Sequence, residues 1–207
     1  VSPSTPISLS ASDAGCGVSA TYYRVNGGEW QEYSEPFTLS GPGRVYTIEF
    51  YSIDNLGNEE EPEEFAVYLD VVKPVTTLAV GSPSCFYNGM WYVTAETPIT
   101  LVAENSHGIA YLCYRIDGGE WITVYASTVT IYLSGSEGQH IIEYYAVDEP
   151  GNVEEVKCTV LTLFYWDYVF EDTYGRGTVL KVDIQYKLFQ FVTPHKDFGV
   201  RRASNMR

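Results

Sequence analysis

Apolar and polar positions alternate in short stretches along the chain, and each stretch meets Gly, Asn, Asp or Pro before a helical period can develop. Tyr22-Tyr23-Arg24-Val25 leads into Asn26-Gly27-Gly28-Glu29, residues that tolerate positive φ, and Trp30 opens a return strand. This pattern predicts a β-hairpin. Val45 to Asp54 is apolar on both alternations, as expected where one face meets an opposing sheet and aromatic rings partly cover the other. Ile48 and Phe50 are read as the inward residues, and Phe65 to Leu69 as the closing strand.

The same pattern then returns. Tyr23-Arg24-Val25-Asn26-Gly27-Gly28-Glu29-Trp30 matches Tyr114-Arg115-Ile116-Asp117-Gly118-Gly119-Glu120-Trp121. Upstream, Thr5-Pro6-Ile7-Ser8-Leu9 matches Thr97-Pro98-Ile99-Thr100-Leu101. Downstream, Ile48-Glu49-Phe50-Tyr51-Ser52-Ile53-Asp54 matches Ile142-Glu143-Tyr144-Tyr145-Ala146-Val147-Asp148, and each copy continues to a Gly-Asn pair. A period of about 90 residues is too long for a solenoid and suits a string of whole domains.

Tyr114, Ile116, Trp121, Ile142 and Tyr144 are the core expected of the second copy, with Cys158 to Leu163 as its last strand. Short strands with no helical segment between them predict antiparallel β-sandwiches. Val1 aligns with Val93, so the residues from Val72 to Tyr92 have no counterpart in the first copy. We therefore expect three parts: a repeat over 1–70 truncated at its N-terminus, a complete repeat over 71–163, and the truncated start of a further β-rich module over 164–207. The first repeat should be the less stable. Pro74, which has a fixed φ and no N–H, predicts a stiff, short joint after Asp70.

Taken together, Thr-Pro-Ile-x-Leu, Tyr-x-Val/Ile-Asn/Asp-Gly-Gly-Glu-Trp and Ile-Glu-Phe/Tyr-Tyr-x-Val/Ile-Asp-x-x-Gly-Asn resemble the Ig-like repeats strung along archaeal and bacterial surface proteins. The resemblance covers residues 1 to about 163 and implies tandem immunoglobulin-like or fibronectin-III-like sandwiches. It also implies an extracellular or cell-surface setting, a stalk, spacer or adhesive role, and no catalytic residues. Short, Gly-interrupted strands do not supply the lipid-facing band of an outer-membrane barrel.

Composition narrows the partners. The 207 residues carry a formal net charge of -15, which repels phosphate backbones and argues against nucleic acid. No apolar run is long enough to span a bilayer, and the resemblance implies a cell-surface protein or a glycan as the partner. Cys16, Cys85, Cys113 and Cys158 show no CxxC pair and no zinc spacing. They read as buried free thiols, with a Cys85–Cys158 or Cys113–Cys158 bridge as the alternative.

Candidate chemistry is sparse. His107, His140 and His195 lack a second ligand at metal-binding spacing, and neither a Gly-x-Ser-x-Gly turn nor a phosphate loop is present. The repeated Asp54, Gly57, Asn58 and Asp148, Gly151, Asn152 read as structural turns, each Asp accepting backbone N–H groups a few residues on. No cofactor is expected; calcium, drawing oxygens from Asp13, Asp54, Asn58 and Glu59, is the alternative, without EF-hand spacing. The acidic run Glu59-Glu60-Glu61-Pro62-Glu63-Glu64 reads as a solvated loop. Tyr22, Tyr33 and Tyr125 lie near the repeated hairpins and are the candidate ligand-contact aromatics, since sugars stack on exposed rings. A carbohydrate-binding accessory module is thus the alternative to a non-enzymatic spacer.

Overall fold

The computed structural model describes residues 1–165 and the strand segments Tyr168–Glu171, Gly177–Val179 and Val200–Arg202. Most of the module expected over 164–207 lies outside the described residues. All regular structure among the described residues is β. The chain forms two compact units, one of Val1–Val75, Glu104–Tyr111 and Ala146–Glu154, and a second of Thr76–Ala103, Leu112–Tyr145 and Glu155–Arg207.

The first repeat contains β1 (Val18–Val25), β2 (Gln31–Glu32), β3 (Arg44–Asp54) and β4 (Glu63–Leu69), hydrogen-bonded in the order β2-β1-β3-β4 with every pair antiparallel. The hairpin turn forms where the glycines allow it, with Asn26 at φ 51° and Gly27 at φ 68°. Opposite this sheet, only an antiparallel bridge between Ile7 and Phe37 is made among the described residues. Ile7, Leu39, Tyr46, Ile48 and Leu69 form the buried core, with Phe50, Val25 and Phe37 packed at its margin. The inward reading of Ile48 holds, whereas Phe50 is only half-buried.

The second repeat adds β5 (Val75–Val80), β6 (Ser84–Tyr87), β7 (Met90–Val93), β8 (Ile99–Glu104), β9 (Ile109–Ile116), β10 (Ile122–Val124), β11 (Thr128–Ile131), β12 (Gly138–Asp148) and β13 (Lys157–Leu163). One sheet runs β10-β9-β12-β13-β7-β6 and the other β11-β8-β5. With β5, β8 and β11 as strands A, B and E, and β9, β12 and β13 as C, F and G, the connectivity is immunoglobulin-like. Val93, Ile99, Leu101, Leu112, Leu133, Ile142, Leu161 and Leu163 fill the interior. Ile142 and Tyr144 are buried as expected, but Tyr114, Ile116 and Trp121 are only partly so, and Leu112 and Cys113 take the deep positions on β9.

One pairing departs from the antiparallel plan. β13 lies parallel to β7, with Leu161 opposite Trp91 and Leu163 opposite Val93. A parallel pair requires a long crossover, and here most of the repeat lies between the two strands. The same contact persists in the first repeat as single bonds: Val1 N donates to Tyr68 O, and Asp70 N to Val1 O at 2.8 Å. In the last described segments, β14 (Tyr168–Glu171) pairs antiparallel with β15 (Gly177–Val179) and β16 (Val200–Arg202).

Candidate functional site

The repeated signature residues meet on the outer face of the larger sheets. In the β1–β3 ladder, Tyr22 stands opposite Tyr51 and Arg24 opposite Glu49, while Tyr23 and Val25 alternate to the inner side opposite Phe50 and Ile48. Arg24 grips Glu49 with two hydrogen bonds, one from Nε to Oε2 at 2.8 Å. The guanidinium also lies over the Trp30 ring, 4.5 Å from its centroid, and Trp30 meets Tyr51 edge-on at 4.7 Å. The second repeat builds the same cluster. Arg115 Nε donates to Glu143 Oε2 at 2.7 Å, the guanidinium lies 4.7 Å from the Trp121 centroid, and Trp121 meets Tyr145 edge-on at 5.1 Å.

A carboxylate held by a guanidinium stays ionised to lower pH, and the hydrogen bond from each arginine holds Glu49 and Glu143 below the ordinary glutamate value. Neither acid is therefore poised to exchange a proton near neutrality. Trp121, expected in the core, instead covers its ion pair from outside, as Trp30 does in the first repeat, and both rings are only partly exposed. Aromatic residues stand on both alternations ahead of the turn, Tyr22 and Tyr23 in the first copy, so the pattern alone does not place the Trp rings.

The two Asp turns share the bonds from Asn58 and Asn152 and differ in the remaining backbone donor, because Pro150 stands where Leu56 stands and has no N–H. Asp54 Oδ1 accepts from Leu56 N at 2.8 Å and Asn58 N at 2.9 Å, and Oδ2 accepts from Asn58 Nδ2 at 2.7 Å. Asp148 Oδ1 accepts from Gly151 N and Asn152 N, and Oδ2 from Asn152 Nδ2 at 3.0 Å. Gly57 and Gly151 both have positive φ, 85° and 99°. The Asn58 bonds, side chain first and then backbone, lower the Asp54 pKa to about 2. The oxygens proposed as calcium ligands at Asp54 are thus already occupied by N–H donors, and Asp13 Oδ2 accepts from Gly15 N and Gly17 N. Among the described residues, no group of three or more His, Cys, Asp or Glu side chains is placed to hold a metal.

The candidate aromatics separate. Tyr22 stacks on Tyr51 at 5.4 Å, and Tyr33 sits edge-on to Tyr23 at 6.3 Å. Tyr125 is 84% exposed. The chemistry missed in the sequence lies at His140, which is buried and hydrogen-bonds through Nδ1 to Asp117 Oδ2 at 2.6 Å and through Nε2 to Ser136 O at 2.9 Å. The Ser136 carbonyl and then Asp117 raise the His140 pKa, against burial, which works to lower it. For Asp117, burial pushes upward but is outweighed by the Ile141 N–H and His140, and its pKa is lowered. Nothing local in the sequence marks this pair, because its partners are far apart along the chain.

Within the first unit, Asp70 is buried, with Oδ1 accepting from Val72 N at 3.0 Å. His107 Nδ1 comes within 3.0 Å of Asp70 Oδ2, yet that oxygen makes no hydrogen bond of acceptable angle. The four cysteines form no disulfide; Cys113 is buried, but Cys16 and Cys158 are exposed, contrary to the expectation of burial. Cys158 falls on an outward position of β13, where alternation places every second residue in solvent. An open groove of about 410 Å³ borders the first repeat, lined in part by Leu9, Ala11, Phe50, Ser52, Glu60 and Glu63.

No family model and no curated protein matches the chain. Three solved structures show distant likenesses. Fibronectin(III)-like modules of Clostridium thermocellum CbhA share 16% identity over 74% of this chain and 82% of theirs, with a TM-score of 0.47. A domain of intimin shares 10% over 74% of this chain and 88% of its own, with a TM-score of 0.31. The tetra-tandem repeat from the extending region of a large adhesion protein shares 11% over 79% of this chain and 55% of its own, with a TM-score of 0.33.

Proposed function

We propose that the chain is a non-catalytic pair of sandwich repeats of an extracellular or cell-surface protein, serving as a stalk, spacer or protein-interaction module. The observation that carries this reading is the internal bonding of the repeated residues. In both copies the Arg–Glu–Trp cluster and the Asp–Asn turn direct their polar atoms at one another, which makes them elements of the domain plan. The domain assignment, residues 1–70 and 71–163 as successive repeats, belongs to the same proposal. No helix among the described residues is long and apolar enough to cross a membrane.

The exposure of Tyr125 favours a second reading, a carbohydrate-binding accessory module, in which a flat ring on the surface takes a sugar face. A glycan array and a hydrolase panel, run on the purified chain beside a Tyr125→Ala variant, separate the two. The spacer reading expects neither turnover nor glycan retention. Retention abolished by Tyr125→Ala would replace it with the carbohydrate reading, and turnover by the unmodified chain would overturn both.

A further inference from the structure

At one buried position the two repeats meet the same need with different chemistry. In the first repeat Tyr46 stands two residues before the buried Ile48, and its hydroxyl lies 3.2 Å from both Ser40 O and Pro42 O. Beside it, Asn26 Oδ1 accepts from Thr47 N at 3.0 Å. In the second repeat His140 stands two residues before Ile142, and Asp117 replaces Asn26 and accepts from Ile141 N at 2.8 Å. The loop ahead of each ring turns at a matching glycine, Gly41 at φ 119° and Gly135 at φ 113°.

The two solutions differ in protons. His140 makes two bonds at once, Nδ1 to Asp117 Oδ2 at 2.6 Å and Nε2 to Ser136 O at 2.9 Å. An ionised carboxylate and a carbonyl oxygen only accept, so both ring nitrogens must donate, and only the imidazolium carries two N–H groups. The Ser136 carbonyl and then Asp117 raise the His140 pKa, which keeps that charge to higher pH. Asp117 is the charged group that the hairpin sets against the ring, and β13 sets the uncharged Leu161 opposite it. In the ring's own loop, the Glu137 carboxylate turns away to accept from Tyr165 N at 2.9 Å. Gly135 N donates to Tyr165 Oη at 3.1 Å. The loop that His140 grips therefore also holds Tyr165, two residues past the end of β13. Gly43, at the place of Glu137 in the first repeat, has no side chain to do this.

We propose that His140 is a proton-operated clasp of the second repeat. As imidazolium it ties the hairpin turn at Asp117 to loop 134–137 and, through that loop, to Tyr165. When Nε2 gives its proton to solvent, the ring keeps the N–H bonded to the charged Asp117. The bare Nε2 lone pair then faces the Ser136 carbonyl, two acceptors with no proton between them, and the loop lets go. The first repeat, with Tyr46 and Asn26 in these places, has no such release. The clasp goes beyond the spacer role and does not depend on it.

The test is an NMR titration of residues 1–207 from about pH 5 to about pH 9, the range that brackets an imidazole. It reads the ring nitrogens of His140 and the amides of Gly135, Ser136 and Tyr165, with Gly41 and Val71 as the matching positions of the first repeat. The expected result is a His140 ring protonated on both nitrogens at the acid end, and loop and Tyr165 amides that shift with the ring's own midpoint. Amide protection at Gly135 and Tyr165, corrected for intrinsic exchange, should fall about tenfold across that midpoint, while Gly41 and Val71 stay unchanged. His107→Gln should leave the transition in place and His140→Gln should remove it. His140→Tyr combined with Asp117→Asn installs the first repeat's pair, keeps the site filled should His140→Gln fail to fold, and should hold the loop at both ends of the range. An unprotonated Nε2 at the acid end, loop amides that ignore the His140 midpoint, a transition that persists in the double variant, or one that vanishes in His107→Gln would each overturn the proposal.

Discussion

Asp54 and Asp148 show how one side chain closes a loop by collecting N–H groups that would otherwise lack partners. Asp148 is fully buried, so Asp148→Ala strands the Asn152 N–H group and should cost about 1–3 kcal/mol, read by urea unfolding. Asp54 is better hydrated and is tested by pH instead. Its folded pKa of about 2 lies below the unfolded value, so its contribution is present above about pH 3.9 and is lost as pH falls through about 2. An NMR titration should return that depressed value, and Asn58→Ala should move it upward. His140 has the opposite sign. Its raised folded pKa makes its contribution complete below about pH 6.5 and lost as pH rises through the folded value. Second-repeat stability should therefore fall on the alkaline side, and His140→Gln should flatten that slope. Both Asp turns were legible because Asp-x-x-Gly-Asn bonds within a few residues. The His140–Asp117 pair was not legible, since it needs a hairpin turn brought against the start of β12.

At the scale of elements, the hairpins, the inward Ile48 and Ile142, and the closing strands followed from period-two alternation and glycine turns. The faces of Trp30 and Trp121 did not, because each ring's partners, an Arg and a Tyr on two neighbouring strands, assemble only in the sheet. The parallel β7–β13 pair was equally hidden, as a sequence period does not encode strand direction. Strand position also governs thiol chemistry. Cys16 and Cys158 should react with a maleimide in the native chain, while Cys113 should react only on unfolding, an order of labelling that mass spectrometry can follow. Slow labelling of Cys158 would contradict the outward register of β13. Core truncation is likewise expected to act on each repeat, with Ile48→Ala and Ile142→Ala each losing about 2–4 kcal/mol in denaturant unfolding.

For the whole molecule, the two repeats follow one plan and differ in cover. The second surrounds its interior with β5 on one side and the β6–β7 hairpin beyond β13, whereas the first leaves Leu9, Ala11 and Phe50 along an open groove. The unmatched residues from Val72 to Tyr92 signalled this difference in the sequence, but the place where their strands dock depended on long-range pairing. Native-state hydrogen exchange on residues 1–207 tests the shared plan and the difference in cover together. Amides of β3 and β4 should exchange faster than those of β12 and β13, with the largest difference between Phe50 and Tyr144 at the groove. Equal protection at those two positions, or slower exchange in the first repeat, would contradict a sandwich left open where its neighbour is covered.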